Sequence, residues 1–87
     1  MDMDTLRDGI RDLIAVLVAE ATSQPRKKIQ CDLILSKLEV DSIAIVGIAM
    51  ELEDRLGIEV DPTIAWDYPT IDRMADFLSN RLRSPGR

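Results

Sequence analysis

The chain has 87 residues, a net charge of −5, no histidine and a single cysteine. Without histidine it has no Ser-His-Asp or Cys-His catalytic site and no imidazole metal site, and one cysteine forms neither an internal disulfide nor a multi-thiolate zinc site. An aromatic content of 3% and the acidic charge disfavour nucleic-acid binding. No apolar run approaches the roughly 20 residues of a membrane span. The length predicts one domain over residues 1–87, and the acidic start, which lacks a basic signal-peptide region, predicts a cytoplasmic location with reduced Cys31.

The acidic residues are concentrated in the second half of the chain. Residues 39–76 contain ten acidic and two basic side chains, whereas residues 1–38 contain six of each. This asymmetry predicts that the second half faces basic partners; the alternative is a surface that only keeps the protein in solution.

The apolar spacing of the first residues predicts a helix over 5–21, which ends before Pro25. Its apolar stripe is Leu6, Ile10, Leu13, Ile14, Leu17 and Ala21. A long connection over 22–40 follows, in which we expect a turn of helix around 32–37. Four apolar side chains should hold this connection against the rest of the molecule: Ile29, Leu33, Leu35 and Leu38.

The remaining chain predicts three further helices. Asp41 and Ser42 form a capping pair that starts a helix ending at Gly57. A short helix over 62–67 should begin at Asp61-Pro62, and Thr70 should cap a last helix that reaches about residue 82. Residues 83–87 should fray. The predicted fold is an all-α four-helix bundle with three main helices, one short third helix, a long first loop and no strand.

The second helix has two apolar faces. The face expected in the core consists of Ile45, Ile48, Ala49, Leu52 and Leu56. A second stripe, flanked by Glu51 and Glu53, consists of Ile43, Val46, Gly47, Met50 and Asp54. Because one buried face is enough for a bundle of this size, the second stripe predicts a docking surface for a partner. Alternatively, Ile43, Val46 and Met50 pack beneath the long loop.

Asp41-Ser42-Ile43 stands at the amino end of this helix. Such a triplet is usually only a helix cap. However, the N–H groups and the dipole at a helix amino terminus also favour a phosphate, so the hydroxyl of Ser42 is a suitable attachment point for a phosphodiester.

Three segments resemble acyl carrier proteins: LEVDSI at 38–43, MELEDRLG at 50–57 and WDYPT at 66–70. The resemblance covers about residues 5–82. It implies that a phosphopantetheinyl transferase attaches a 4′-phosphopantetheine arm from coenzyme A to Ser42, beside Asp41. It also implies an acyl thioester on the arm's thiol, and docking of an acyl transferase, a ketosynthase or other enzymes on the second helix. The expected protein is a monomer that performs no catalysis itself.

The resemblance also indicates a subtype of carrier protein, and the chain departs from the family's usual residues at two positions. The segment 66–70 is similar to the F-D-Y-P-T of polyketide carriers, and Asp41 before the serine is similar to acyl rather than peptidyl carriers. Trp66 and Tyr68 should also fill core contacts of the short helix. Glu39 stands where the family often has glycine, which puts the turn before Ser42 in doubt. Gly47 stands where the family often has glutamate, and this departure predicts a dedicated partner.

Other functions stay open at this point. The chain could be an unmodified acidic helical module that binds partners with the same stripe, or a peptidyl carrier domain. An enzyme that uses Cys31 is disfavoured, because no base is found for the thiol, and a lone cysteine is more often a small hydrophobe. The sequence names neither the cargo nor the pathway. Nor does it say whether the core side chains of the second helix move apart to enclose an acyl chain. It favours a free-standing protein over an excised synthase domain only slightly.

Overall fold

Four α-helices and a long first connection make up the computed structural model, which describes residues 3–83, with side chains from Thr5 onward. The helices are α1 (Met3–Thr22), α2 (Ser42–Leu56), α3 (Ile64–Asp67) and α4 (Ile71–Arg83). The connection between α1 and α2 carries two 3-10 turns, Arg26–Lys28 and Leu35–Leu38. No strand forms within the described range; Ile34 and Thr70 make an isolated antiparallel bridge. This arrangement confirms the predicted four-helix fold.

The element boundaries differ from the predictions at four places. α1 covers Met3–Thr22 rather than 5–21. The turn of helix in the long loop lies at Leu35–Leu38 rather than around 32–37. The short helix begins at Ile64, two residues later than expected, because Asp61 first forms a turn in which its carboxylate accepts hydrogen bonds from the N and Oγ1 of Thr63, both at 2.9 Å. Arg83, predicted to fray, belongs to α4, and the predicted fraying of 84–87 lies outside the described residues.

The core lies where α1 packs against both α2 and α4. Its most deeply buried large side chains are Ile14, Val18, Leu52, Ile71 and Leu78. Because α1 contacts two helices, its buried face is wider than one stripe and also contains Ala15 and Ala19. The prediction that Ala21 belongs to this stripe is wrong, because Ala21 is exposed.

The long loop is attached to the bundle by apolar side chains and by two backbone hydrogen bonds. Ile29, Leu35 and Leu38 are buried and Leu33 is half-buried, which confirms the four predicted anchors. Leu35 N donates to Pro69 O at 2.9 Å, and Asp72 N donates to Cys31 O at 3.0 Å. These contacts hold the second half of the loop, which leads into α2, against Pro69 and the first turn of α4.

The predicted caps of α2 and α4 are confirmed. Asp41 Oδ1 accepts a hydrogen bond from Ala44 N at 2.8 Å at the start of α2. Gly57 ends α2 with a φ of 70°, and its N donates to Glu53 O at 2.9 Å. Thr70 Oγ1 accepts from Arg73 N at 3.1 Å at the start of α4. The sequence signals thus place both ends of α2 at the residues where the structure has them.

Candidate functional site

Ser42 is the first residue of α2, and its side chain is exposed. Asp41 holds this end of the helix from both its side chain and its backbone, since Asp41 O also accepts from Ile45 N at 3.0 Å. The hydroxyl of Ser42 makes no side-chain hydrogen bond within the described part of the chain. The site therefore presents a free hydroxyl on a capped helix terminus.

The turn that delivers Ser42 to the surface passes through Glu39. Glu39 has a φ of 63° and a ψ of 33°, in the left-handed region that favours glycine. A side chain there costs about 1 kcal/mol, which explains why glycine suits this position. The turn nevertheless forms: Glu39 N donates to Ser36 O and Val40 N donates to Leu35 O, both at 3.4 Å, and Val40 is buried. The departure from glycine leaves the path of the chain to Ser42 intact.

A groove of about 280 Å³ opens beside Ser42. It lies between the end of the long loop, the start of α2 and the α3 segment. Its walls are Ile34, Leu35, Ser36, Val40, Ser42, Ile45, Ala65, Trp66 and Pro69. The groove is mainly apolar, and Ser42 is one of its polar members together with Ser36.

Trp66 lies at this groove with 65% of its surface exposed. The expectation that Trp66 fills a core contact is therefore wrong. The short α3 buries Ile64 and Ala65 instead, and this leaves the next side chain outside. For Tyr68 the expectation is confirmed: it is half-buried and stacks on Phe77, with ring centroids 4.5 Å apart and planes at 19°.

The second apolar stripe of α2 is open to solvent. Ile43 is 82% exposed, Val46 44% and Met50 61%, so the alternative in which they pack beneath the long loop is wrong. Gly47 and Asp54 are exposed beside them. On the opposite face Ile48, Ala49 and Leu52 are buried, while Ile45 and Leu56 are half-buried, which confirms the predicted core face.

The acidic residues that flank the stripe differ in their surroundings. Glu51 Oε2 accepts from Arg55 Nε at 3.2 Å, one helical turn away, and both side chains are exposed. Glu53 is half-buried, and its Oε2 accepts from Val60 N at 3.2 Å. This contact, which no sequence pattern indicates, ties Glu53 to the loop after α2. Asp54 is exposed and makes no ion pair with another described residue.

Cys31 lies in the long loop, half-buried at the edge of the core. Burial raises the pKa of its thiol above the ordinary value, and the nearby Arg26 opposes this shift only in part. A thiol with a raised pKa stays protonated at neutral pH and is a poor nucleophile. This agrees with the interpretation of Cys31 as a small hydrophobe.

The residues around Ser42 suit a flexible group attached through a phosphodiester. The free hydroxyl supplies the bond, the helix amino terminus favours the phosphate charge, and the groove lies directly beside the attachment point. Within residues 3–83, no helix combines the length and the apolar character that crossing a membrane requires.

Comparisons with known proteins agree with this geometry. A family model described as "Phosphopantetheine attachment site" matches residues 12–78. Among curated proteins, the chain is 29% identical over 77 residues to the 6-methylsalicylic acid synthase of Aspergillus terreus and to a phenolphthiocerol/phthiocerol polyketide synthase of Mycobacterium tuberculosis. Each match covers 88% of the chain, which spans only about 4% of the length of these relatives.

Solved structures show the same fold. A free-standing peptidyl carrier protein from Acinetobacter baumannii has a TM-score of 0.85 at 32% identity, over 87% of this chain and 95% of that one. The HMG-ACPI domain of the CurA module from Lyngbya majuscula has a TM-score of 0.81 at 24% identity, over 90% of this chain and 79% of that domain. The resemblance to carrier proteins and the 4′-phosphopantetheine cofactor it implied are thereby confirmed. Because the family model matches more than half of its residues, the chain belongs to the family of proteins with a phosphopantetheine attachment site.

Proposed function

We propose that this chain is an acyl carrier protein in which Ser42 bears the 4′-phosphopantetheine arm. The observation that carries the proposal is the exposed hydroxyl of Ser42 at the capped amino terminus of α2, beside an open groove. The polyketide synthases among the relatives support a role in polyketide biosynthesis, or in the related synthesis of fatty acids. The family match over 12–78 supports one carrier domain over residues 1–87.

Attachment of the arm is a phosphoryl transfer to Ser42. The Oγ of Ser42 forms a bond to the phosphorus of coenzyme A that carries the pantetheine, and the pyrophosphate bond breaks. The adenosine bisphosphate half leaves with the electron pair, and the hydroxyl proton passes to a base. We assign that base to the phosphopantetheinyl transferase, since the Asp41 carboxylate serves the helix cap through Ala44 N and makes no hydrogen bond to Ser42 in the described structure. The amino end of α2 stabilises the negative charge of the phosphodiester product.

When bound, the arm supplies a terminal thiol that holds an acyl group as a thioester. The chain itself provides a fixed attachment point and an apolar groove next to it, in which Ile34, Trp66 and Pro69 are available for contact with the attached group. We propose that the chain performs no catalysis. Its one thiol has a raised pKa, and within residues 3–83 the Ser42 hydroxyl makes no hydrogen bond to a carboxylate that could activate it.

Partner enzymes would dock on the exposed stripe of α2. Ile43, Val46 and Met50 offer apolar contact, Gly47 lies between them, and Asp54 offers a free carboxylate. Glu53, also predicted in this surface, contributes less because its carboxylate is tied to Val60 N. The partners we expect are the phosphopantetheinyl transferase, an acyl transferase and a ketosynthase, each with basic residues at the contact. A monomer in the cytoplasm, where coenzyme A is available, fits this role.

A peptidyl cargo is the second candidate. The Acinetobacter baumannii structure, a peptidyl carrier protein, favours it, whereas the polyketide synthases favour an acyl cargo. The intact mass of the protein isolated from its native cells separates the two. We expect a ketide or other acyl thioester; an aminoacyl or peptidyl thioester would assign the chain to nonribosomal peptide synthesis.

The attachment itself is tested with purified protein, coenzyme A and a broad-specificity phosphopantetheinyl transferase. We expect a mass increase of one phosphopantetheinyl group, which disappears in Ser42→Ala. Ser36→Ala is the matched control, because Ser36 is an exposed hydroxyl on the same groove and should not affect loading. Loading of the Ser42→Ala variant, or no loading of the wild type under conditions that modify a known carrier, would contradict the proposal.

A further inference from the structure

We propose that the groove between α1 and α2, opened by Gly47, receives an apolar side chain of a partner protein that is flanked by lysine or arginine. The proposal rests on the proposed docking of partners on α2, and it extends that surface across the groove onto α1. The contact is centred on Gly47, whose lack of a side chain is not explained by any contact among the described residues.

Among the residues that the structure describes, no contact requires glycine at position 47. Gly47 is exposed in the middle of α2, and a Cβ added there would meet no atom within 4 Å beyond its chain neighbours and the backbone of its own helix. Its backbone is helical, unlike that of Gly57, which has a φ of 70°. Glycine inside a helix lowers the equilibrium constant for folding by about fivefold relative to alanine. The absence of a side chain therefore costs stability and serves no internal contact.

Gly47 lines a groove of about 300 Å³ between the two helices. Leu17 and Ala21 of α1 and Ala44 and Ile48 of α2 give it an apolar lining. Because Gly47 has no side chain, this lining stays accessible from the side of the docking stripe. The groove thus continues the exposed apolar surface of Val46 and Met50 onto α1. A groove with this lining accommodates an aliphatic or aromatic side chain.

The charges at the groove define the surroundings of that side chain. Glu20 of α1 and Glu51 of α2 both line it. The Glu20 carboxylate makes no ion pair with another of the described residues. Glu51 pairs with Arg55 at 3.2 Å, but both are exposed, and such a pair contributes little and exchanges readily. Two carboxylates on either side of an apolar floor complement an apolar residue between two basic ones.

The experiment is an NMR titration of the ¹⁵N-labelled protein with three capped tripeptides: Lys-Leu-Lys, Lys-Ala-Lys and Glu-Leu-Glu. Gly47→Leu fills the groove. Gly9→Leu is the matched control, because Gly9 is also an exposed helical glycine with nothing within 4 Å of an added Cβ. It lies eight residues before Leu17, or about 12 Å along the axis of α1. Both substitutions replace glycine with a strong helix former, so both variants should melt at a higher temperature than the wild type.

We expect Lys-Leu-Lys to shift the amide signals of Ala21, Ala44 and Gly47, and to bind at least tenfold more tightly than either other peptide. Binding should weaken at least tenfold in Gly47→Leu and stay unchanged in Gly9→Leu. The proposal is overturned if Lys-Leu-Lys shifts none of these amides, if Glu-Leu-Glu binds equally well, or if Gly47→Leu binds as the wild type does. Loading of Ser42, measured on the same samples, shows separately whether the carrier function holds.

Discussion

Replacing Asp41 by alanine removes the side chain that caps α2 at the attachment site. The lost contact is the 2.8 Å hydrogen bond from Ala44 N to Asp41 Oδ1. Loss of an N-cap costs about 0.5–2 kcal/mol, and about 1 kcal/mol is expected here because Asp41 is exposed and water replaces part of the bond. For a domain of this size, 1 kcal/mol corresponds to a decrease in melting temperature of about 4–8 °C.

Asp41→Asn separates the cap from the charge. Asparagine keeps an oxygen acceptor for Ala44 N, so only the interaction of the carboxylate with the helix dipole is lost, which is worth about 0.3–1 kcal/mol. Urea unfolding followed by far-UV circular dichroism measures both variants against the wild type. We expect Asp41→Ala to be the less stable of the two. Equal stability of Asp41→Ala and the wild type, or a larger loss in Asp41→Asn than in Asp41→Ala, would refute the capping argument.

The buried Leu52, the thiol of Cys31 and the turn at Asp61 can each be tested separately. Leu52→Ala, at a fully buried site, should lower the free energy of unfolding by about 2–5 kcal/mol in urea, whereas Met50→Ala at the exposed stripe should change it by less than about 0.5 kcal/mol; similar values for both would contradict the assigned faces. Because burial raises the pKa of Cys31, its alkylation rate should still rise with pH above 9.0, and a plateau at or below that pH would refute this. Hydrogen bonds from Thr63 lower the pKa of Asp61 below 3.8, so its contribution to stability is complete above that pH and is lost as the pH falls through the lowered value. An NMR titration should show this lowered pKa, with an increase in Thr63→Ala, and an unchanged pKa in that variant would refute the role of the hydroxyl.

The sequence predicts α2 well because strong local signals mark both of its ends. Asp41 is a strong N-cap residue, and because an N-cap stands directly before the helix, it marks where α2 starts. Gly57 adopts the left-handed backbone conformation that ends the helix. Periodicity also predicts the second stripe, since Ile43, Val46 and Met50 recur three or four residues apart and so share one side of the helix. Their exposure, however, is visible only in the structure, because the spacing does not show whether the long loop covers them.

What the sequence does not predict depends partly on local hydrogen bonds and partly on how the helices pack. Trp66 is exposed because α3 is only one turn long and already buries Ile64 and Ala65. The turn at Asp61 delays α3, because the side chain of Thr63 supplies a local hydrogen bond that the helix-start pattern does not reveal. Two further features are visible only once the helices are packed. They are the hydrogen bond from Val60 N to Glu53 and the groove beside Gly47.

The central claim is that Ser42, and no other hydroxyl, accepts the phosphopantetheine arm. Trypsin cleavage after Lys37 and Arg55 yields the peptide 38–55, in which Ser42 is the one hydroxyl-bearing residue, whereas Ser36 falls in the preceding peptide. After incubation with coenzyme A and the transferase, fragmentation of the digest locates the added group. We expect the whole mass increase on peptide 38–55, at Ser42. An increase on the peptide that contains Ser36, or on any other part of the chain, would show that Ser42 is not the attachment site.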